Sequence, residues 1–242
     1  MIASGMGTGL GGLFLFVVRR PTAAVLDVLL GFTAGVMLAA TAFSLLVPAL
    51  ERGGVAEVLL GFALGAAALV ALDRFVPHAH PRMHERGRGA VADRDAEHRA
   101  ALLLSALTIH NIPEGLAVGL AFAAGGADLG IPLALAIGIQ NVPEGFAAAA
   151  PLVALGTRRR TAAGIAALTG AVEPPAAVAA FGATQLATQA LPAGLGFAAG
   201  AMLYVVADEL IPESHSGGHE RAATVALLVG FALMVGLDNA FR

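Results

Sequence analysis

The chain of 242 residues has no cysteine, no tryptophan, no lysine and a single tyrosine. Without cysteine there can be no disulfide and no thiolate ligand, so any metal must be held by imidazole, carboxylate, amide, thioether or water. Charge is also scarce: 13% of the residues are charged and 57% are hydrophobic, where a soluble domain is about one quarter charged. That balance excludes an ordinary water-soluble domain and predicts a membrane protein. The 31 glycines fit this reading, because small residues let helices approach closely in lipid, where no hydrophobic force draws them together. The net charge of −3 says little; where the charges fall says more.

Apolar runs long enough to cross about 30 Å of hydrocarbon can be drawn at 2–18, 23–50, 55–76, 100–124, 129–155, 161–183, 191–212 and 221–240. They predict an all-α integral membrane protein of eight transmembrane helices, one transmembrane domain over 1–242. Arg19 and Arg20 follow the first run instead of preceding it, which argues for a retained span and against a signal peptide. Assigning the 14 arginines to alternating sides places 12 together, with Arg52 and Arg242 opposite. The positive-inside rule makes the crowded side cytoplasmic, so both termini are expected to be extracytoplasmic. The 77–99 stretch then becomes a cytoplasmic loop containing His78, His80 and His84. Two readings of it stand: a solvated basic linker, or imidazoles that collect a cation in transit.

Within this apolar background the chain twice writes the same polar phrase, HNIPEG at 110–115 and QNVPEG at 140–145. An ionisable residue at membrane depth is costly and calls for a functional explanation with a named partner. Residues four apart share a helix face, so His110 converges with Glu114, and Gln140 with Glu144; Asn111 and Asn141 lie three before the same glutamates. Pro113 and Pro143 remove the backbone donors that would reach the carbonyls of Ile109 and Ile139, which predicts broken or kinked fourth and fifth helices with the ligands at the kink. Glu173 precedes Pro174-Pro175, and Asp208 and Glu209 precede Pro212, so four helices contribute carboxylates. Three carboxylates, one imidazole and several amide oxygens suit a divalent ion of intermediate softness, such as Zn²⁺, Cd²⁺, Fe²⁺ or Mn²⁺. Binding such an ion among buried carboxylates is coupled to proton release. Taken singly, each group has a bland reading: a buried His or Glu can satisfy a neighbouring helix, and Met37 can be a packing residue as readily as a soft ligand. No lysine or arginine lies at the depth of the glutamates, and two copies of one polar motif on adjacent spans are hard to explain as packing.

HNIPEG followed by QNVPEG resembles the paired signature of the ZIP family of divalent metal transporters. GVMLAATAFSLLVPAL, DRFVPHAH, EPPAA and DELIPESH extend the likeness over nearly the whole chain. The resemblance implies one metal subsite from His110, Glu114 and Glu144 with Met37 nearby. An adjoining subsite would come from Asn111, Asn141 and Glu173, bridged by the glutamates. Asp73, His78, His80 and Glu209, with Asp208 beside it, match positions that accept metal on the cytoplasmic side. It also implies an elevator-like or rocking movement of the helices carrying the site against a more static group. Two departures stand out: many members carry His where this chain has Gln140, and some bacterial relatives carry Asp where it has Asn141. Neutral amides there imply a single occupied site or a preference moved toward harder ions.

The expected function is therefore uptake of divalent transition metals, Zn²⁺ first, across a bacterial cytoplasmic (inner) membrane. The metal is cargo; no cofactor and no catalysis are expected. The expected partners are divalent metal ions, the lipid bilayer and a second copy of the chain in a homodimer, with no nucleic acid. Two rivals are metal efflux by the same site and an intramembrane metal-dependent hydrolase. The chain has no HExxH pattern and no Ser/His/Asp arrangement to serve the latter.

Overall fold

The computed structural model describes residues 2–17, 22–75, 90–154 and 156–240, and among these it contains helices and turns but no strand. The helices are α1 (Ile2–Phe14), α2 (Ala23–Arg52), α3 (Val55–Phe75), α4 (90–124), α5 (127–154), α6 (Arg159–Leu186), α7 (Thr188–Ser214) and α8 (Glu220–Ala240). Six helical stretches among the described residues are long and apolar enough to cross a membrane, one of them Thr108–Ala150. That stretch holds two passes. In one straight helix, positions 26 apart would lie about 39 Å from each other, yet Gln140 Nε2 is 2.7 Å from Glu114 Oε1 across that separation. The reversal sits at Gly125 and Gly126, and Gly126 has a φ of 59°, a conformation that glycine adopts without steric cost. Helix α4 begins at Ala90, well before the apolar run expected from 100.

The sequence expectation that Pro113 and Pro143 break their helices is corrected. Gly125 and Gly126 are where φ and ψ leave the helical region within Ala90–Ala154, so the backbone stays helical through both prolines. A missing N–H removes one bond, and neighbouring helices hold the rest of the turn in place. Proline does interrupt α6: a turn at Ala171-Val172 separates Arg159–Gly170 from Glu173–Leu186. Pro174 and Pro175 together remove two successive donors there. In α2 and α7 a π-helical turn comes just before the proline, at Ala40–Leu46 ahead of Pro48 and at Val206–Leu210 ahead of Pro212. Such single-turn bulges alter the helical register and often occur at functional sites.

The helices pack as two groups. In one, α1 lies against α5 and α6, and α4 lies against α6; in the other, α2 packs on α8 and α3 on α7. Small residues make these contacts possible. A Cβ on Gly7 or Gly11 would collide with the backbone carbonyls of Gly138 or Val142 on α5, and one on Gly5 would stand 2.7 Å from the Gly170 carbonyl oxygen at the end of the first half of α6. The last residue of each repeated motif has the same purpose: Gly115 admits the Glu173 backbone, and Gly145 admits that of Thr8. The motif glycines therefore set how closely α6 and α1 approach the helices that carry the two polar motifs.

Candidate metal centre

Seven of the expected ligands, His110, Asn111, Glu114, Gln140, Asn141, Glu144 and Glu173, are at most 5% exposed, and Met37 on α2 is 1% exposed. Helical spacing gathers the first three on α4 and the next three on α5. Glu173 joins them because the break in α6 places it at the start of a helix whose backbone touches Gly115.

The contacts run between helices. Gln140 Nε2 donates to Glu114 Oε1 at 2.7 Å, and Asn141 Nδ2 donates to Glu173 Oε1 at 2.6 Å. The two neutral amides of α5 therefore hold the carboxylates of α4 and α6. His110 Nε2 lies 2.7 Å from Glu209 Oε1 on α7, a contact between the two helix groups. Thr33 of α2 also reaches across, donating from Oγ1 to the Gln140 carbonyl at 3.4 Å.

Several acceptor atoms lack such partners. Asn111 Oδ1, Glu114 Oε2 and Gln140 Oε1 are buried with no hydrogen-bond partner among the described residues. A buried unsatisfied polar group costs about 1–3 kcal/mol. Three oxygens and the His110 imidazole on adjacent helix faces are what a divalent cation would satisfy. No arginine appears among the buried described residues to neutralise the glutamates. Among the described residues, no three His, Asp or Glu side chains already form a compact ligand group. Amides hold two of the carboxylates instead, so a cation entering here competes with Gln140 for Glu114 and with Asn141 for Glu173.

The structure separates two neighbours that the sequence left together. Asp208 is exposed, with Tyr204 OH 3.5 Å from its Oδ2, whereas Glu209 turns inward to His110. Both lie in the π-helical turn Val206–Leu210. Asp73 lies in the last turn of α3 with its side chain outside the described residues, and His78 and His80 also fall outside them. Two residues were missed in the sequence reading. Thr33 and Thr41 flank Met37 at intervals of four on α2; all three are at most 2% exposed, and Thr41 Oγ1 has no hydrogen-bond partner among the described residues. A polar hydroxyl one turn to either side of a candidate thioether was a readable signal.

The family model for the ZIP zinc transporters matches residues 83–238. Over 242 aligned residues the chain is 43% identical to the zinc transporter ZIPB of Bordetella bronchiseptica, covering 96% of this chain and 77% of that protein. It is 41% identical to the zinc transporter GufA of Myxococcus xanthus, with 98% and 95% covered. With the zinc transporter ZupT of Corynebacterium glutamicum it shares 37% identity, with 96% and 93% covered. The likeness extends along the chain and includes both polar motifs at the centre of the helix bundle, and the chain belongs to the ZIP family of zinc transporters.

Proposed function

We propose that this protein carries divalent transition-metal ions, Zn²⁺ foremost, into the cytoplasm through the His/Glu/Asn centre by alternating access. The observation that carries the proposal is the convergence of buried, partnerless acceptor oxygens with His110 on adjacent helices at membrane depth. His110, Glu114 and Glu144, with Met37 beside them, would hold one ion. Asn111, Asn141 and Glu173 would form the adjoining subsite, with Gln140 competing for Glu114. The arginine distribution supports eight crossings with both termini extracytoplasmic, and the 77–99 stretch, helical from Ala90, as a cytoplasmic connection. The bacterial relatives favour the inner membrane and a role as a transporter, not an enzyme.

The grouping of helices supports a mechanism. All the ligands on α4, α5 and α6 belong to the group that includes α1, while Met37 and Glu209 are supplied by α2 and α7 of the other group. Sliding of one group against the other would change the ligand set without breaking either internal pack. Glu209 is 19% exposed in its side chain, against 6% for His110, so it stands between the buried centre and the solvent. It would take the ion next and pass it to Asp73, His78 and His80 at the cytoplasmic face. Flux of Zn²⁺, Cd²⁺ and Mn²⁺ into sealed vesicles of known protein orientation tests the proposal. Inward movement that is saturable and lost with Glu144→Ala is expected. Net outward movement would reverse the direction, and absence of flux would remove the transport reading for this chain.

A further inference from the structure

An apolar groove of about 970 Å³ runs along the seam between the two helix groups. Its walls are Leu29 and Phe32 of α2, Ile139 and Pro143 of α5, and Val225 and Val229 of α8, and its single charged lining residue is Arg221. Ile139 and Pro143 lie on the turn that carries Gln140 and Asn141, so the groove touches the outer face of the metal-site helix. Val225 is 60% exposed, Val229 56% and Ile139 40%, and all three lie in stretches apolar enough to cross a membrane.

We propose that this groove is a binding site for an anionic phospholipid, with one acyl chain along the apolar walls and the phosphate on Arg221. The dimensions fit: Arg221 to Val229 is about 12 Å of helix at 1.5 Å per residue, close to the roughly 15 Å depth of one leaflet's hydrocarbon. The charge fits as well. Arg221 is exposed at the first turn of α8 with no ion pair among the described residues. Glu220 points about 100° away around the helix and does not line the groove. The nearby Asp27 carboxylate already accepts from the His219 backbone N–H and lies 3.2 Å from His219 Nδ1. A basic residue at the interfacial end of an apolar cleft between membrane helices is the arrangement that selects an anionic headgroup. A lipid seated there lies against α5 on one side and α2 and α8 on the other, where it is placed to bias any sliding between the groups. The inference rests on the chain crossing a bilayer and does not depend on the direction of metal movement.

Native mass spectrometry of the full chain, purified with equal amounts of phosphatidylglycerol and phosphatidylcholine, tests the site without any metal. The wild type is expected to retain phosphatidylglycerol in preference. A second groove, of about 830 Å³ between α1 and α6, also has an arginine, Arg160, so Arg221→Gln is expected to lose one bound lipid and not all association. Retention at the seam should weaken about fivefold for the lost arginine. Val225→Trp, which fills the groove from an exposed position, should remove one lipid of either headgroup. Equal retention of the two lipids by the wild type, or an unchanged lipid count in both variants, would overturn the proposal. Loss of a dimer in place of a lipid with Val225→Trp would also overturn it and mark the groove as a contact between copies of the chain.

Discussion

Replacing Glu209 by alanine tests whether this carboxylate competes with the metal for His110. The contact is short, with 2.7 Å between Nε2 and Oε1, and crosses from one helix group to the other. To coordinate a cation through Nε2, the imidazole must give up this contact with the carboxylate. A partly exposed ion-pair contact contributes at most about 1 kcal/mol, and the Glu209 side chain is 19% exposed. About 1 kcal/mol corresponds to roughly fivefold in an equilibrium constant. The half-saturating Zn²⁺ concentration for uptake into proteoliposomes should therefore fall by up to about fivefold with Glu209→Ala. The maximal rate should fall with it, since the ion loses its next ligand on the way out. Asp208→Ala serves as the control: its side chain is exposed and its hydrogen bond is a long 3.5 Å contact, so both parameters should stay within about twofold of wild type. An unchanged or higher half-saturating concentration with Glu209→Ala would refute the competition.

Glu114→Ala and Glu144→Ala should each abolish Zn²⁺ and Cd²⁺ flux while leaving the protein in the membrane, since each removes a ligand and makes its span more apolar; normal flux at normal protein levels would sink the assignment. Gln140→His should shift selectivity toward Zn²⁺ and Cd²⁺ over Mn²⁺, because imidazole is the better ligand for the softer ions; a competition series during uptake reads this, and an identical preference order would show that position 140 does not face the ion. Gly145→Val would drive a side chain into the Thr8 backbone, whereas Gly164 has open space around it. The first should therefore lose about 1–3 kcal/mol of stability and lower the thermal midpoint in detergent, while Gly164→Ala leaves it in place. Equal midpoints for the two would contradict the close packing of α1 on α5.

The membrane character and the burial of the polar side chains of the two motifs were legible in the sequence because both depend on local rules. Scarce charge leaves too little to cover a water-facing surface, and a 3.6-residue period puts His110 with Glu114, and Gln140 with Glu144, on common faces wherever the helices go. Its position directly before Pro174-Pro175 likewise puts Glu173 at the break in α6. Which group touches which depends on how separate helices meet, and no period within one helix encodes that. That the amides of α5 hold Glu114 and Glu173, and that the motif glycines seat α6 and α1, follow from interhelical distances. Proline chemistry alone predicted breaks at Pro113 and Pro143; the backbone remains helical there, because the surrounding helices outweigh the loss of a single hydrogen bond. The choice between Asp208 and Glu209 was likewise tertiary. Adjacent residues differ by about 100° around a helix, and the π-helical turn at Val206–Leu210 sets which of the two faces His110.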